Sequence, residues 1–333
     1  LAEQILDKIE VYLNDNKIME KLGLLPAQSI SFLAQGEYNK NFLITDQSGY
    51  SVVFRINYGS QINVAKQSRY EYQALQILYK SKHTPKPLFL DDTRNFFKHD
   101  ILIEEFLPGK PLIYHRDLKM SAKILASVHN LNLDSKAYQN LKVETNICTD
   151  RLEEANQLLE PVVSSTKLKK EQINVLISLK NWCEENNADK YFSGQPLCLV
   201  NTEVNSNNFL ITDNYGYLID WEKPVISNAV QDLTQFMVET TTLWRTTEVL
   251  NSKQVEVFLT EYSKRTNQSS DLLMENINKY MPFMLLRALS WCAMLVATYD
   301  DKPIKNVEIL HRCQSFLKLD FMVPLLNKYG VTF

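Results

Sequence analysis

The stretch Asn201-Thr202-Glu203-Val204-Asn205-Ser206-Asn207-Asn208-Phe209-Leu210-Ile211 and its sequel Tyr217-Leu218-Ile219-Asp220-Trp221-Glu222 decide how this chain is read. A polar loop with one carboxylate and several amides runs into a short apolar strand. Asp213-Asn214-Tyr215-Gly216 then supplies the turn of a hairpin, and the returning strand ends in Asp-Trp-Glu. Pairing of the two strands brings Asn208 and Asp220 together at one end. Carboxylate and amide oxygens that converge in this way are hard ligands suited to Mg²⁺, which takes few protein oxygens and uses substrate phosphates for the rest. The alternative is a turn whose Asn and Asp side chains cap their own backbone. These residues alone leave both readings open.

Upstream, the pattern changes period. Residues 1–22 read as an amphipathic helix with Ile5, Ile9, Tyr12 and Leu13 on one stripe. Residues 29–35, 41–45 and 50–57 read as a three-stranded meander turned by Gln47-Ser48-Gly49, and 86–90 and 100–106 extend the sheet. Between them, at 64–80, Val64, Glu71, Ala74, Leu75 and Leu78 share one helix face. An acid on an apolar stripe is costly unless it is paired. The nearest plausible partner is Arg55, set in the apolar strand Val52-Val53-Phe54-Arg55-Ile56. A strand cation held by a helix carboxylate is the device by which kinase-type lobes place a positive charge over ATP phosphates. A solvated Glu71 at the edge of its stripe, beside a surface Arg55, is the competing reading.

Past Pro108-Gly109 and Pro111, helices dominate, at 118–131, 149–160, 168–188, 228–246, 252–265, 271–299 and 303–319. The pattern is a small β-rich lobe, a Pro/Gly hinge, and a larger helical lobe that carries one hairpin.

Composition narrows the function. Of 333 residues only 8 are glycine, against about 23 at ordinary usage. The closest pair, Gly49 and Gly59, are too far apart for a G-x-G-x-x-G or P-loop motif. The net charge of −3, without a basic block, argues against nucleic acid as a partner. The 5 scattered cysteines form no metal or redox motif and fit buried thiols in a reducing compartment. No signal-peptide pattern opens the sequence as given, so a cytoplasmic location is expected. The most apolar stretch, 288–299, is too short to cross a bilayer and reads as a buried helix. No obligate protein partner is evident.

Taken in order, these features resemble the aminoglycoside phosphotransferase and choline kinase superfamily over residues 30 to about 240. That family carries His-Gly-Asp-x-x-x-x-Asn and, after a hairpin, Ile-Asp-Trp/Phe-Glu. Here Asn201-Thr202-Glu203 stands at His-Gly-Asp, Asn208 matches the Asn, and Ile219-Asp220-Trp221-Glu222 matches the second element. Asp232-Leu233 resembles the downstream pair whose acid braces the catalytic loop. Ala34-Gln35-Gly36-Glu37-Tyr38-Asn39 resembles the phosphate-covering turn, and His129 a Leu-His helix end with a structural role. His115-Arg116-Asp117 spells the start of a protein-kinase catalytic loop. However, Ala122 stands where that motif needs Asn and no Asp-Phe-Gly follows, so it reads as a loop entering a helix.

The resemblance implies an α+β, two-lobed protein-kinase-like fold, with a nucleotide-binding lobe over 1–106, a helical lobe over 107–333 and a hinge near 104–111. It implies ATP and Mg²⁺ as cofactors and a small hydroxylated molecule as acceptor: an amino alcohol, a sugar or an aminoglycoside-like compound. Glu203 would orient or deprotonate the attacking hydroxyl, and Asn208 and Asp220 would hold Mg²⁺. Glu222 would assist the metal or cap its strand. Gly36 and Asn39 would lie at the phosphates, with Arg55 braced by Glu71. The hinge backbone at Glu104, Glu105, Phe106 and Leu107 would meet adenine. Three departures sit in one loop. Glu203 is longer than Asp by a methylene, Thr202 replaces a glycine and is strained if φ is positive there, and Asn201 replaces an imidazole that helps hold the loop. A nucleotide-binding pseudokinase serving as sensor or scaffold is the alternative.

Overall fold

The computed structural model describes residues 2–36, 38–60, 64–301 and 305–332, the side chains of 2 and 3 excepted. Glu37 of the phosphate-covering turn and the start of the expected 303–319 helix lie outside these residues. The strands are β1 (Ala27–Gln35), β2 (Asn39–Asp46), β3 (Ser51–Asn57), β4 (Pro87–Asp91), β5 (Asp100–Glu105), β6 (Lys110–Pro111), β7 (Cys198–Val200), β8 (Phe209–Ile211), β9 (Gly216–Leu218) and β10 (Val225–Ser227). By contacts the chain forms two compact units that are discontinuous in sequence. The first comprises Leu1–Pro111, Leu131–Lys142 and Asn208–Pro224. The second comprises Leu112–Asn130, Val143–Asn207 and Val225–Phe333.

In the first unit, five antiparallel strands lie in the order β1-β2-β3-β5-β4. Alternation on β2 sends Phe42 and Ile44 to one face, where Phe54, Ile56, Ile101 and Ile103 join them. The helix Ala2–Asp15 covers that face with Ile9, Tyr12 and Leu13. The expected 1–22 helix is interrupted, because Lys17 adopts a left-handed φ of 50° before the short helix Ile18–Lys21. The other face of β3 carries Val53 and Arg55, both buried, which is why this strand reads as continuously apolar apart from its arginine. The helix Gln67–Leu78 begins later than expected, so Val64 lies ahead of it.

The β8–β9 hairpin forms as the sequence indicates, with Phe209 opposite Leu218, and β6 adds a third strand. Gly109 makes that addition possible. A Cβ there would lie 2.8 Å from the Leu210 carbonyl carbon, and its φ is +143°.

The second unit is mainly helical. Its centre is the helix Ser270–Thr298, which packs on the helices Ile147–Val163, Lys170–Glu185, Val230–Met237 and Val307–Phe316. Ser269 caps its start by accepting from the Asp271 amide. The apolar stretch 288–299 is thus the end of a much longer helix, long and apolar enough by composition to cross a membrane. Most of its apolar window is buried, as in a core helix. Tyr280 and Phe283 on this helix are core residues, whereas Trp244 and Trp291, in edge contact at 5.8 Å, are half-buried. Tyr114–His129, Ser252–Thr266 and Leu319–Lys328 are further helices, the last unforeseen. The 228–246 span is two helices, Val230–Met237 and Glu239–Arg245. β7 pairs with β10, a strand that alternation had not revealed. All five cysteines are buried and free.

Candidate functional site

The first unit gathers a charged cluster around Arg55. β3 aims its guanidinium away from the isoleucine core. Nη1 donates to Glu71 Oε1 from the helix Gln67–Leu78, Nη2 to Glu104 Oε1 at 3.3 Å, and Nε to Asn41 Oδ1 at 3.1 Å. Arg55, Glu71 and Glu104 are all buried. The expected pair is therefore a triad, because register on β5 places Glu104 opposite Val53, two residues from Arg55 and on the same sheet face. Burial works against the guanidinium's charge, but Glu71, Glu104, Asp220 and Glu222 keep it firmly protonated. Burial raises the Glu71 carboxyl to about 7, with Arg55 opposing and the charges of Glu104 and Asp220 adding. Glu104 moves upward for the same first reason, with Arg55 opposing.

Asp220 follows β9 with a left-handed φ of 63°, a strained conformation for a residue with a Cβ. Several contacts fix it. The Ile219 amide donates to the Asn208 carbonyl at 2.8 Å, which joins the two strand ends as expected. The buried Trp221 indole donates to the Leu218 carbonyl at 2.9 Å. Beyond Asp220, Gln67 Nε2 donates to the Glu222 carbonyl and the Tyr70 hydroxyl donates to the Pro224 carbonyl at 2.5 Å. The helix that carries Glu71 thus also holds the chain that follows Asp220. Sequence reasoning missed Gln67 and Tyr70, although Gln67 lies one turn before Glu71 on the same face.

The Gly36 amide donates to the Asn39 carbonyl at 2.9 Å, closing the turn between β1 and β2. Asn39 Nδ2 donates to Glu222 Oε1, and Asn57 Nδ2 donates to Asn39 Oδ1 at 2.9 Å. Gly36, Asn39, Arg55, Glu71, Glu104, Asn208, Asp220 and Glu222 all belong to this one unit, as do Glu105 at the end of β5 and the exposed Phe106 after it. Among the described residues no cluster of three or more His, Cys, Asp or Glu is arranged to hold a metal. The set with an amide and carboxylates, Asn208, Asp220 and Glu222, is of a different kind. Its chemistry suits a hard divalent ion, because four carboxylates surround one guanidinium and leave a negative surplus.

The second unit holds the loop 201–207. The amides of Asn201 and Thr202 donate to Asp232 Oδ2 and Oδ1 at 2.7 and 2.8 Å, so one buried carboxylate fixes two successive peptides. His129 Nε2 stands 3.2 Å from Asp232 Oδ2, and its Nδ1 is 2.8 Å from the Tyr262 hydroxyl. The structural roles expected of Asp232 and His129 are both visible. Thr202, which the resemblance sets at a glycine, has φ 65°, where a β-branched side chain is strained. The side chain of Asn201 takes up bracing of its own: its Oδ1 accepts from the Glu203 amide at 2.9 Å. Gln235 Oε1 accepts from the Val204 amide at 3.3 Å, and Arg287 Nη1 lies 3.5 Å from the Thr202 carbonyl. His115-Arg116-Asp117 lies in the first turn of the helix Tyr114–His129, with His115 Nδ1 2.7 Å from Glu248.

A five-stranded antiparallel sheet with a buried Arg–Glu pair, together with a largely helical remainder, defines a kinase-like fold. The phosphotransferase enzyme family matches residues 29–268, and the chain belongs to it. Among solved structures, a spectinomycin phosphotransferase, APH(9)-Ia, in complex with ADP and spectinomycin is 13% identical. It has a TM-score of 0.68, over 95% of this chain and 98% of that one. Plasmodium vivax ethanolamine kinase is 17% identical with a TM-score of 0.62, over 94% and 88%. Choline kinase from Cryptosporidium parvum is also 17% identical, at 0.61, over 96% and 98%. No curated protein sequence matches significantly.

Proposed function

We propose that the protein is an ATP- and Mg²⁺-dependent phosphotransferase that transfers the γ-phosphate to a hydroxyl of a small molecule. The observation that carries this reading is the buried Arg55 triad set beside Asp220 and Glu222. A guanidinium held by Glu71 and Glu104 can meet phosphate oxygens, and the surplus of carboxylates calls for a cation. In this reading Asn208 and Asp220 hold Mg²⁺, which would neutralise charge on the phosphates. Glu222, bonded to Asn39, acts chiefly by tying the end of the hairpin to the base of the phosphate-covering turn at Gly36. Val53 and Leu43 share the Arg55 face of the sheet and would cover adenine, with the backbone of 104–107 at its edge. Glu203, on a loop braced at every amide from 201 to 204, would orient the acceptor hydroxyl.

Membership of the phosphotransferase family and the ADP and spectinomycin bound by one structural neighbour support the reaction class. The acceptor is a small hydroxylated compound such as an amino alcohol, a sugar or an aminoglycoside. The strained Thr202 favours a second reading, in which nucleotide binds without turnover. A thermal-shift titration with Mg-ATP followed by a broad acceptor screen separates the two. Absence of any shift would sink both, and binding without transfer to any acceptor selects the pseudokinase.

A further inference from the structure

The first unit contains a second concavity, away from the Arg55 cluster. It measures about 360 Å³, and its lining includes Lys82, Thr84, Lys86, Glu105, Tyr215 and Tyr217. Successive β5 residues face opposite sides, so Glu104 turns to Arg55 while Glu105 turns to this cavity. Its size falls within the range of small-molecule pockets.

Three observations give the cavity a chemistry. First, one aromatic wall is rigid. The Tyr215 hydroxyl donates to the Lys82 carbonyl at 2.9 Å, and its ring stacks on His83 at 4.7 Å and 15°. His83 is anchored in turn, with Nδ1 2.6 Å from the Gly216 carbonyl, and Tyr217 lies 5.1 Å from Tyr215. A ring fixed by contacts outside the cavity loses little entropy when a ligand stacks on it. Second, the charge is positive. Among the described residues, neither the Lys82 nor the Lys86 ammonium has a side-chain partner, and the lining offers one carboxylate, Glu105, against them. Third, the Thr84 hydroxyl is buried and has no hydrogen-bond partner among the described residues, although Thr84 lines the cavity and is only 4% exposed. An unsatisfied buried hydroxyl is costly, and a ligand oxygen would remove that deficit.

We propose that this cavity binds an aromatic anion, a planar ring carrying a phosphate or carboxylate. The ring lies against Tyr215 and Tyr217, the anionic group meets Lys82 and Lys86, and one of its oxygens pairs with Thr84. Neither the nucleotide nor the acceptor of the proposed phosphotransfer is required for this binding, so it stands or falls separately from that reaction.

The test is calorimetric titration of phenyl phosphate into the whole chain, with inorganic phosphate and phenol as separate probes. Binding in the region of about 1 mM is expected, weakened about tenfold in the Lys82→Gln/Lys86→Gln double variant and in Tyr217→Ala. Both lysines are exposed, so the double variant should keep the wild-type melting temperature. Raising the salt should weaken phenyl phosphate but not phenol. Absence of heat with the wild type at about 10 mM overturns the proposal. So does unchanged affinity in the lysine variant, which would locate the anion elsewhere. Inorganic phosphate binding as tightly as phenyl phosphate overturns the role of the rings.

Discussion

The two units of this protein fix their candidate residues by opposite means. Around Arg55 the order comes from charged side chains: one buried guanidinium, two carboxylates bonded to it and two more in its field. In the loop 201–204 it comes from backbone amides, each given a side-chain acceptor by Asp232, Asn201 or Gln235. Charge fixes a side chain at a ligand, whereas amide bracing fixes the path of the chain. A charged cluster tolerates little change in the ionised groups. A braced loop should tolerate changes in its own side chains as long as the acceptors remain. In this loop Asn201, Thr202 and Glu203 stand where the resemblance sets His-Gly-Asp, and Asp232 holds two of its peptides.

The largest expected effect breaks the charged side of this comparison. Arg55→Ala leaves Glu71 and Glu104 buried without their cation, and the expected loss is about 4 kcal/mol in denaturant unfolding. A loss below about 1 kcal/mol would mean that the carboxylates find water or protons at little cost, and the contrast with the loop would fail. The same cluster predicts a pH dependence. Burial raises Glu71 from 4.5 to about 7, and Glu104 moves the same way. Across that window the unfolded chain has released protons that the folded chain still binds. Stability therefore falls as pH rises from about 4.5 towards 7, and Glu71→Gln should flatten part of the slope. A melting temperature that rises over this range would overturn the assignment.

The next effect tests the braced side. Asp232→Ala removes the acceptor of two buried amides and the partner of His129, and about 3 kcal/mol of stability should go with it. Amide exchange read by mass spectrometry should rise in the peptide containing 201–204 and stay unchanged in the peptides containing Arg55 and Glu71. Uniform loss of protection would show that the two regions do not differ as described.

Much of this arrangement can be read in the sequence wherever a local pattern carries it. The 3.6-residue stripe exposed Glu71 as an acid in need of a partner, and the Asp213–Gly216 turn announced the hairpin that joins Asn208 to Ile219, the residue before Asp220. What stayed hidden depends on register or long-range contact. Glu104 looked like a hinge residue because its approach to Arg55 follows from the pairing of β3 with β5. Gln67 and Tyr70 reach carbonyls more than 150 positions away, and no periodicity encodes such a reach. β10 is three residues long and pairs with β7 across a hairpin, too short for alternation to reveal. The break at Lys17 turns on a single positive φ in an otherwise helical pattern.

Thr202 is where the two modes of order meet the sequence most directly, and it carries the smallest prediction. A threonine at φ 65° is strained by about 1–2 kcal/mol, and Asp232 holds it there through its amide. Thr202→Gly removes the strain but adds chain entropy to the unfolded state, worth about 0.5–1 kcal/mol in the other direction. The expected outcome is a net gain of about 0.5 kcal/mol in urea unfolding. A loss of more than about 1 kcal/mol would mean that the side chain of Thr202, and not its amide alone, belongs to the bracing. If the loop orients an acceptor, Thr202→Gly should also change turnover without changing nucleotide affinity, since Arg55 and Asp220 belong to the other unit. An equal change in both would tie the loop to nucleotide binding and remove the division of labour between side-chain charge and backbone bracing.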